Sequence, residues 1–261
     1  VSIITLLTDF GAIDPYVGTM KGVMLSINPD LAIVDMSHEV EAQAVKEGIF
    51  LIEEYYRFFP PGTVHLCVID PTVGGTRKPI LVTKGDQSFV GPDNGLFSMV
   101  LGGDAIVHEI SNPRFMLTNV SGTFHGRDIF APAAAHVTLG VAPSEFGPLV
   151  DEPVRLDDLH PSVEGDVMTG EIIHIDRFGN AVSNIHMRDF STFLAGGAFR
   201  AEVAALSFDT LSTSYYERRH TFLVGSSGYL EFGLYLGNLS KTESIGRGEK
   251  VRVTRLGSAG G

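Results

Sequence analysis

The chain has 261 residues, 44% of them hydrophobic and 19% charged, a globular composition long enough for one large domain or two modest ones. Nineteen Lys and Arg against 31 Asp and Glu leave a net charge of −12, which argues against nucleic acid as the main partner and favours a small ligand, a cationic one being welcome in that field. No stretch approaches the roughly 20 apolar residues of a bilayer span, so no membrane partner is expected.

An apolar run at residues 3–7 predicts a first strand, and 16–27 a helix stopped by Asn28-Pro29. Residues 31–36 read as a strand, 42–58 as a helix ended by Pro60-Pro61-Gly62, and 64–69 as a third strand. The segments 80–83 and 89–90 flank a Lys84-Gly85-Asp86 turn, and a helix is expected from about 127 to 139. Short β runs alternating with helical patterns predict an α/β domain over 1–150, a sheet with helices on its faces. Residues 141–165 carry Pro143, Pro148, Pro153 and Pro161 with no sustained apolar period and read as a connector. Beyond it, 167–175, 181–185, 199–205, 222–224, 229–236 and 250–256 are short apolar or alternating segments separated by Gly and Asn. They predict a small all-β domain over 165–261, sandwich or barrel, with a frayed tail at 258–261. Cys67, the one cysteine, lies inside the run 64–69 and reads as a packed core thiol. A reducing compartment suits it, and the chain opens on a strand with no signal-peptide pattern, so a cytoplasmic location is expected.

Asp9, in Thr8-Asp9-Phe10-Gly11, falls at the carboxyl end of the first strand, where one carboxylate can accept from both hydroxyls of a ribose. The same residue also suits a turn or an N-cap. Asp70 repeats the arrangement after the third strand, in Asp70-Pro71-Thr72-Val73-Gly74-Gly75-Thr76-Arg77. The Gly-Gly turn lets the loop double back so that the Arg77 guanidinium meets Asp70, in a site or as a structural ion pair. His125, in Phe124-His125-Gly126-Arg127-Asp128, stands just before a helix, whose N-terminus discourages protonation. Arg127 and Asp128 are assigned to the cap and first turn, in support. Asp176-Arg177-Phe178-Gly179-Asn180 offers an aromatic to stack on a base, an Asn to read its edge and an Asp for an ammonium, or else a hairpin turn. Gly225-Ser226-Ser227-Gly228 is a turn whose hydroxyls and amides suit a carboxylate. The remaining histidines form no metal-ligand pattern, and neither a nucleophile elbow nor a Walker loop occurs.

These blocks, with Asp14-Pro15-Tyr16-Val17-Gly18, Lys21-Gly22 and Gly91-Pro92-Asp93-Asn94-Gly95, closely resemble the S-adenosylmethionine hydroxide adenosyltransferases, adenosine-forming hydrolases related to fluorinase and chlorinase. The resemblance covers nearly the whole chain. It implies an N-terminal α/β domain, a C-terminal β-barrel, and a homotrimer whose sites lie between one subunit's N-terminal domain and its neighbour's C-terminal domain. It further implies a catalytic triad of Asp70, Arg77 and His125 that positions water or hydroxide, and a ribose contact at Asp9. Asp176 and Ser226 match residues that hold the methionine part, Phe178 and Asn180 match adenine contacts, and Asp14 and Tyr16 fall near the methionine end. Two departures stand out: Ser227 replaces an Arg of the fluorinating relatives, and Tyr235-Leu236 replace a more polar pair.

The reading that follows is hydrolysis of S-adenosyl-L-methionine to adenosine and L-methionine by in-line attack on the ribose 5′ carbon. S-adenosylmethionine is then the substrate, with no cofactor and no metal. Arg77, tied to Asp70, is expected to favour hydroxide, and neutral His125 to accept a proton. A halide-using enzyme of the same fold is the alternative within chemistry, although an Arg and a His suit water better than a desolvated halide. A non-catalytic S-adenosylmethionine or adenosine binder needs Asp9 and Asn180 but not the triad.

Overall fold

Ser-Ile-Ile-Thr-Leu-Leu-Thr, rich in β-branched residues, forms β1 (Ser2–Thr8), whose last five residues are buried on both faces in the computed structural model, which describes residues 1–256. The tail expected at 258–261 lies outside the described residues. After α1 (Tyr16–Ile27) the chain lays β2 (Leu31–Ser37) parallel to β1 on one side. After α2 (Val45–Tyr55) it lays β3 (Val64–Val68) parallel to β1 on the other, with Thr8 opposite Val68. The direction of winding therefore reverses between β1 and β3, and a sheet opens a crevice at the carboxyl ends of such a pair. β4 (Pro79–Lys84), β5 (Gln87–Pro92) and β6 (Ile106–Glu109) complete a mixed six-stranded sheet in the order β2-β1-β3-β5-β4-β6.

One face packs Ile4, Leu6, Leu66 and Val68 against Met20 and Met24 of α1 and the alanines of α3 (Ala131–Thr138). The small alanines let α3 lie close to the sheet. On the other face α2 sets Tyr55 against His65 of β3, and a side chain at Gly48 would collide with Ile69.

The helix expected over 42–58 begins only at Val45, because Gln43 is left-handed at φ 69°, and its last turn, Tyr56–Phe58, tightens to 3₁₀. The helix expected over 127–139 opens as one π-helical turn, Gly126–Phe130, before α3. The four residues of β6 were too few to read as a strand. Inside the proline-rich stretch, α4 (Pro143–Phe146) forms with Pro at its first position.

The chain divides into two compact units, Val1–Leu156 and Asp157–Gly261. The first runs past 150 because the Val154 N–H donates to Asp93 Oδ1 at 2.8 Å and the Leu156 N–H to Ser98 Oγ at 2.9 Å. The second unit is an antiparallel, nearly closed barrel. Its strands are β7 (Ser162–Glu164), β8 (Val167–Ile175), β9 (Ala181–His186), β10 (Ala198–Val203), β11 (Leu206–Phe208), β12 (His220–Val224), β13 (Tyr229–Leu234) and β14 (Lys250–Leu256). They pair in the order β11-β10-β14-β8-β9-β13-β12, with β7 on β8. The chain leaving β11 returns to β12 through Ser212, whose N–H donates to the Phe222 carbonyl at 2.7 Å. Phe190, Phe199, Phe222 and Phe232 fill the interior, the last two stacked at 4.8 Å. Two short helices were not expected, α5 (Met187–Leu194) and α6 (Leu239–Glu243). α5 is capped by the His186 ring and buries Phe190, Phe193 and Leu194.

Candidate active site

In the first unit, β1 and β3 end side by side, and each is followed by a carboxylate: Asp9 one residue past β1, Asp70 two past β3. The loop after Asp70 doubles back through Gly74, at φ 76°, where a side chain would strike the Gly122 carbonyl. That turn returns Arg77 to Asp70, with Nε 2.9 Å and Nη2 2.5 Å from Asp70 Oδ2. The same Nη2 lies 2.7 Å from His125 Nδ1. Asp70, Arg77 and His125 are thus joined through one guanidinium.

Guanidinium nitrogens only donate, so His125 Nδ1 is an acceptor and the ring proton sits on Nε2. Burial and then the Arg77 charge hold the His125 pKa below its usual 6.5. This changes the part expected of His125. The lone pair that was to take a proton is committed to Arg77, and the nitrogen left over is a donor that also meets the backbone of Ser121.

Several interactions hold this ring in place. His125 immediately precedes the π turn, a wide coil often found at functional sites. Within that turn Asp128, fully buried, accepts from both the N–H and the hydroxyl of Ser121 at 2.8 Å and from Arg127 Nε at 2.6 Å. Asp128 and Arg127 therefore fix the loop that carries His125, the supporting part expected of them.

A cavity of about 660 Å³ lies over these groups, lined by Asp9, Phe10, Tyr16, Gln43, Asp70, Ser121, Phe124, His125 and Arg127 among others. Arg77 is not in its wall; the side chain is only 6% exposed and lies behind Asp70 and His125. Phe10, Tyr16 and Phe124 pack edge to face at 5.2 to 6.0 Å and form an apolar side. Asp9 Oδ2 accepts from the Gln43 N–H at 2.8 Å, which leaves acceptor capacity on the carboxylate. Burial, and to a smaller degree the charge of Asp70, raises the Asp9 pKa. Asp14 is exposed on the loop before α1 and is not among the lining residues.

In the second unit, Asp176 closes a tight turn between β8 and β9. Its Oδ1 accepts from the N–H groups of Phe178 and Asn180 at 2.9 and 2.8 Å, and its Oδ2 from Asn180 Nδ2 at 2.9 Å. Gly179 takes φ 87° there against Asn238. Phe178 is 75% exposed, a free aromatic face, whereas Asn180 is buried. Beside this turn Tyr215 donates to Glu231 Oε1 at 2.5 Å. Ser226 is exposed in the β12–β13 hairpin turn. Because Tyr229 pairs with His186 and Phe232 with Ala181, Ser226 and Asp176 lie toward opposite ends of β9.

The sequence reading missed Gln43, Thr8, Ser121 and the Tyr215–Glu231 pair. Ser121 alone had a legible signal, a small polar residue beside a glycine just ahead of the His125 block.

Residues 4–147 match the family model described as the SAM hydroxide adenosyltransferase N-terminal domain, and 170–252 match that of its C-terminal domain. The chain is 35% identical over 266 residues to an (R)-S-adenosyl-L-methionine hydrolase of Methanocaldococcus jannaschii, covering 96% of this chain and 95% of that protein. It is 34% identical over 256 residues to a protein of the same description from Thermus thermophilus, covering 95% and 97%. Among solved structures, an uncharacterized conserved protein from Thermotoga maritima is similar with a TM-score of 0.87 and 35% identity, over 97% of this chain and all of that one.

Proposed function

The chain belongs to the SAM hydroxide adenosyltransferase family, and we infer that it hydrolyses S-adenosyl-L-methionine to adenosine and L-methionine by attack of water or hydroxide on the ribose 5′ carbon. The observation that carries this reading is the Asp70–Arg77–His125 relay, set in the crevice between β1 and β3 beside Asp9.

The sulfonium leaves readily, so the protein has mainly to aim a nucleophile. An oxygen held between Asp70 and His125 can donate to the carboxylate and accept from His125 Nε2–H, which favours hydroxide character and fixes its orientation. As the oxygen bonds to the 5′ carbon, the carbon–sulfur pair returns to sulfur and leaves a neutral thioether. The proton of water passes to solvent. Arg77 works from behind, locking the His125 tautomer and neutralising Asp70.

Asp9 serves the ribose hydroxyls, and Phe10 and Phe124 line the space beside it. Asp176, Phe178, Asn180 and Ser226 supply contacts to methionine and adenine from the second unit, with Asp14 and Tyr16 nearer the methionine end. A homotrimer, in which a neighbouring copy supplies that second set, accommodates this division. A cytoplasmic setting fits a reaction on this metabolite. Among the described residues no helix is long and apolar enough to cross a membrane.

Incubation with S-adenosyl-L-methionine followed by chromatography is expected to give adenosine and methionine in equal amounts. A halogenated nucleoside formed when halide is added, or binding without turnover, would replace this reading.

A further inference from the structure

A carboxylate that takes two ribose hydroxyls at once must be held still, yet Asp9 stands in a turn just past the end of β1. The segment that grips this turn is the loop between β2 and α2. The His38 carbonyl accepts from the Gly11 N–H at 2.7 Å, His38 Nδ1 lies 2.9 Å from Thr8 Oγ1, and the Gln43 N–H reaches Asp9. Thr8 Oγ1 also accepts from the Phe10 N–H at 3.3 Å, so this one hydroxyl ties the His38 ring to the backbone of the turn. His38 Nε2 lies 3.1 Å from Asp35 Oδ1, close to that carboxylate but outside hydrogen-bond geometry, while Lys21 Nζ holds Asp35 Oδ2 at 2.5 Å. Burial works to raise the Asp35 pKa, but Lys21 and His38 together outweigh it and keep it low, so the carboxylate is a dependable anchor.

We propose that His38 is a positioning residue for ribose recognition: anchored by Asp35 and Lys21, it fixes the Thr8 hydroxyl and the Gly11 amide on either side of Asp9. The inference rests on the reading of Asp9 as the ribose contact. None of His38, Asp35 and Lys21 lines the cavity, so each acts only through the turn. The arrangement gives a physical reason for the Lys21-Gly22 block, which the reaction itself does not use.

The test compares S-adenosylmethionine with its 2′-deoxy analogue on the full chain. His38→Ala is expected to raise KM for the ribo substrate about tenfold, the scale of one lost charge-linked hydrogen bond, and to narrow the ribo-to-deoxy ratio of kcat/KM. kcat should change less than about twofold, because the Asp70 relay is untouched. Thr8→Val should act in the same direction, and Thr8→Val with His38→Ala should be no worse than His38→Ala alone, since both remove one interaction. His38→Asn, whose side-chain amide can stand in for Nδ1, should restore most of the discrimination. If His38→Ala does not fold, Asp35→Asn and Lys21→Met at partly exposed positions carry the same expectation. A folded His38→Ala, or that pair in its place, that keeps the ribo-to-deoxy ratio where Asp9→Ala has lost it overturns the positioning inference. Asp9→Ala that itself keeps the ratio overturns the ribose reading instead.

Discussion

Replacing Arg77 separates what the guanidinium does for the fold from what it does for the reaction. It makes two contacts to Asp70 Oδ2 and one to His125 Nδ1, and the side chains of Arg77 and Asp70 are 6% and 4% exposed. Arg77→Ala leaves a buried carboxylate without its cation, which costs about 3 to 5 kcal/mol. In a chain of this size that is a fall in Tm of roughly 6 to 20 °C. Arg77→Lys keeps the charge beside Asp70, but a single ammonium lacks the planar fork that reaches both partners. Most of the stability should therefore remain, while the His125 hydrogen bond, worth about 1.5 to 3 kcal/mol with a charged donor, is lost. If that bond acts through the tautomer presented to the nucleophile, kcat falls roughly 10- to 150-fold with little change in KM. Scanning calorimetry and chromatography of released adenosine measure the two effects. Arg77→Lys with full turnover, or Arg77→Ala with unchanged Tm, would refute the relay.

Two further outcomes are expected. Asp9→Ala should weaken substrate binding by about 1.5 to 3 kcal/mol by calorimetry and remove preference for ribo over 2′-deoxy ligands; equal binding of both by the unmodified protein would count against the ribose role. His65 is fully buried, bonded to Thr5 Oγ1 at 2.8 Å, and burial pushes its pKa down from 6.5 to about 4. The unfolded chain takes up a proton there before the folded one does, so this contribution is complete above pH 6.5 and is lost as pH falls toward 4, by about 3 kcal/mol in all. Urea unfolding at pH 7 and pH 4 should show that loss in the unmodified chain and not in Thr5→Val/His65→Leu; equal losses in both would contradict it.

The α/β and β-barrel halves were legible because strand and helix patterns alternate in one and not in the other. Asp9 and Asp70 could be placed at strand ends from the apolar runs that precede them. The Asp70–Arg77 pairing was legible from Gly74, since a doubled-back loop needs the positive φ that glycine tolerates. The His125 tautomer was not, because it depends on a guanidinium 48 positions away. Gln43 was hidden for a local reason: its left-handed φ carries no glycine or asparagine signature, and Ala42 and Ala44 on either side of it read as the start of a helix. α5 went unread because its eight residues fall in the gap between the segments 181–185 and 199–205, with no proline or glycine ahead of them to mark a helix start. Ser226 and Asp176, matched to one methionine end by resemblance, come from turns toward opposite ends of β9, a separation set by strand register that motif order cannot express.

In the proposed reaction, oxygen from water becomes bonded to the ribose 5′ carbon. Hydrolysis of S-adenosyl-L-methionine in oxygen-18 water, with both products analysed by mass spectrometry, tests it directly. The label should appear in adenosine, in the fragment bearing the 5′ hydroxyl, and methionine should carry none beyond the exchange seen without the protein. Label in homoserine with methylthioadenosine as co-product, or adenosine free of label, would contradict the account.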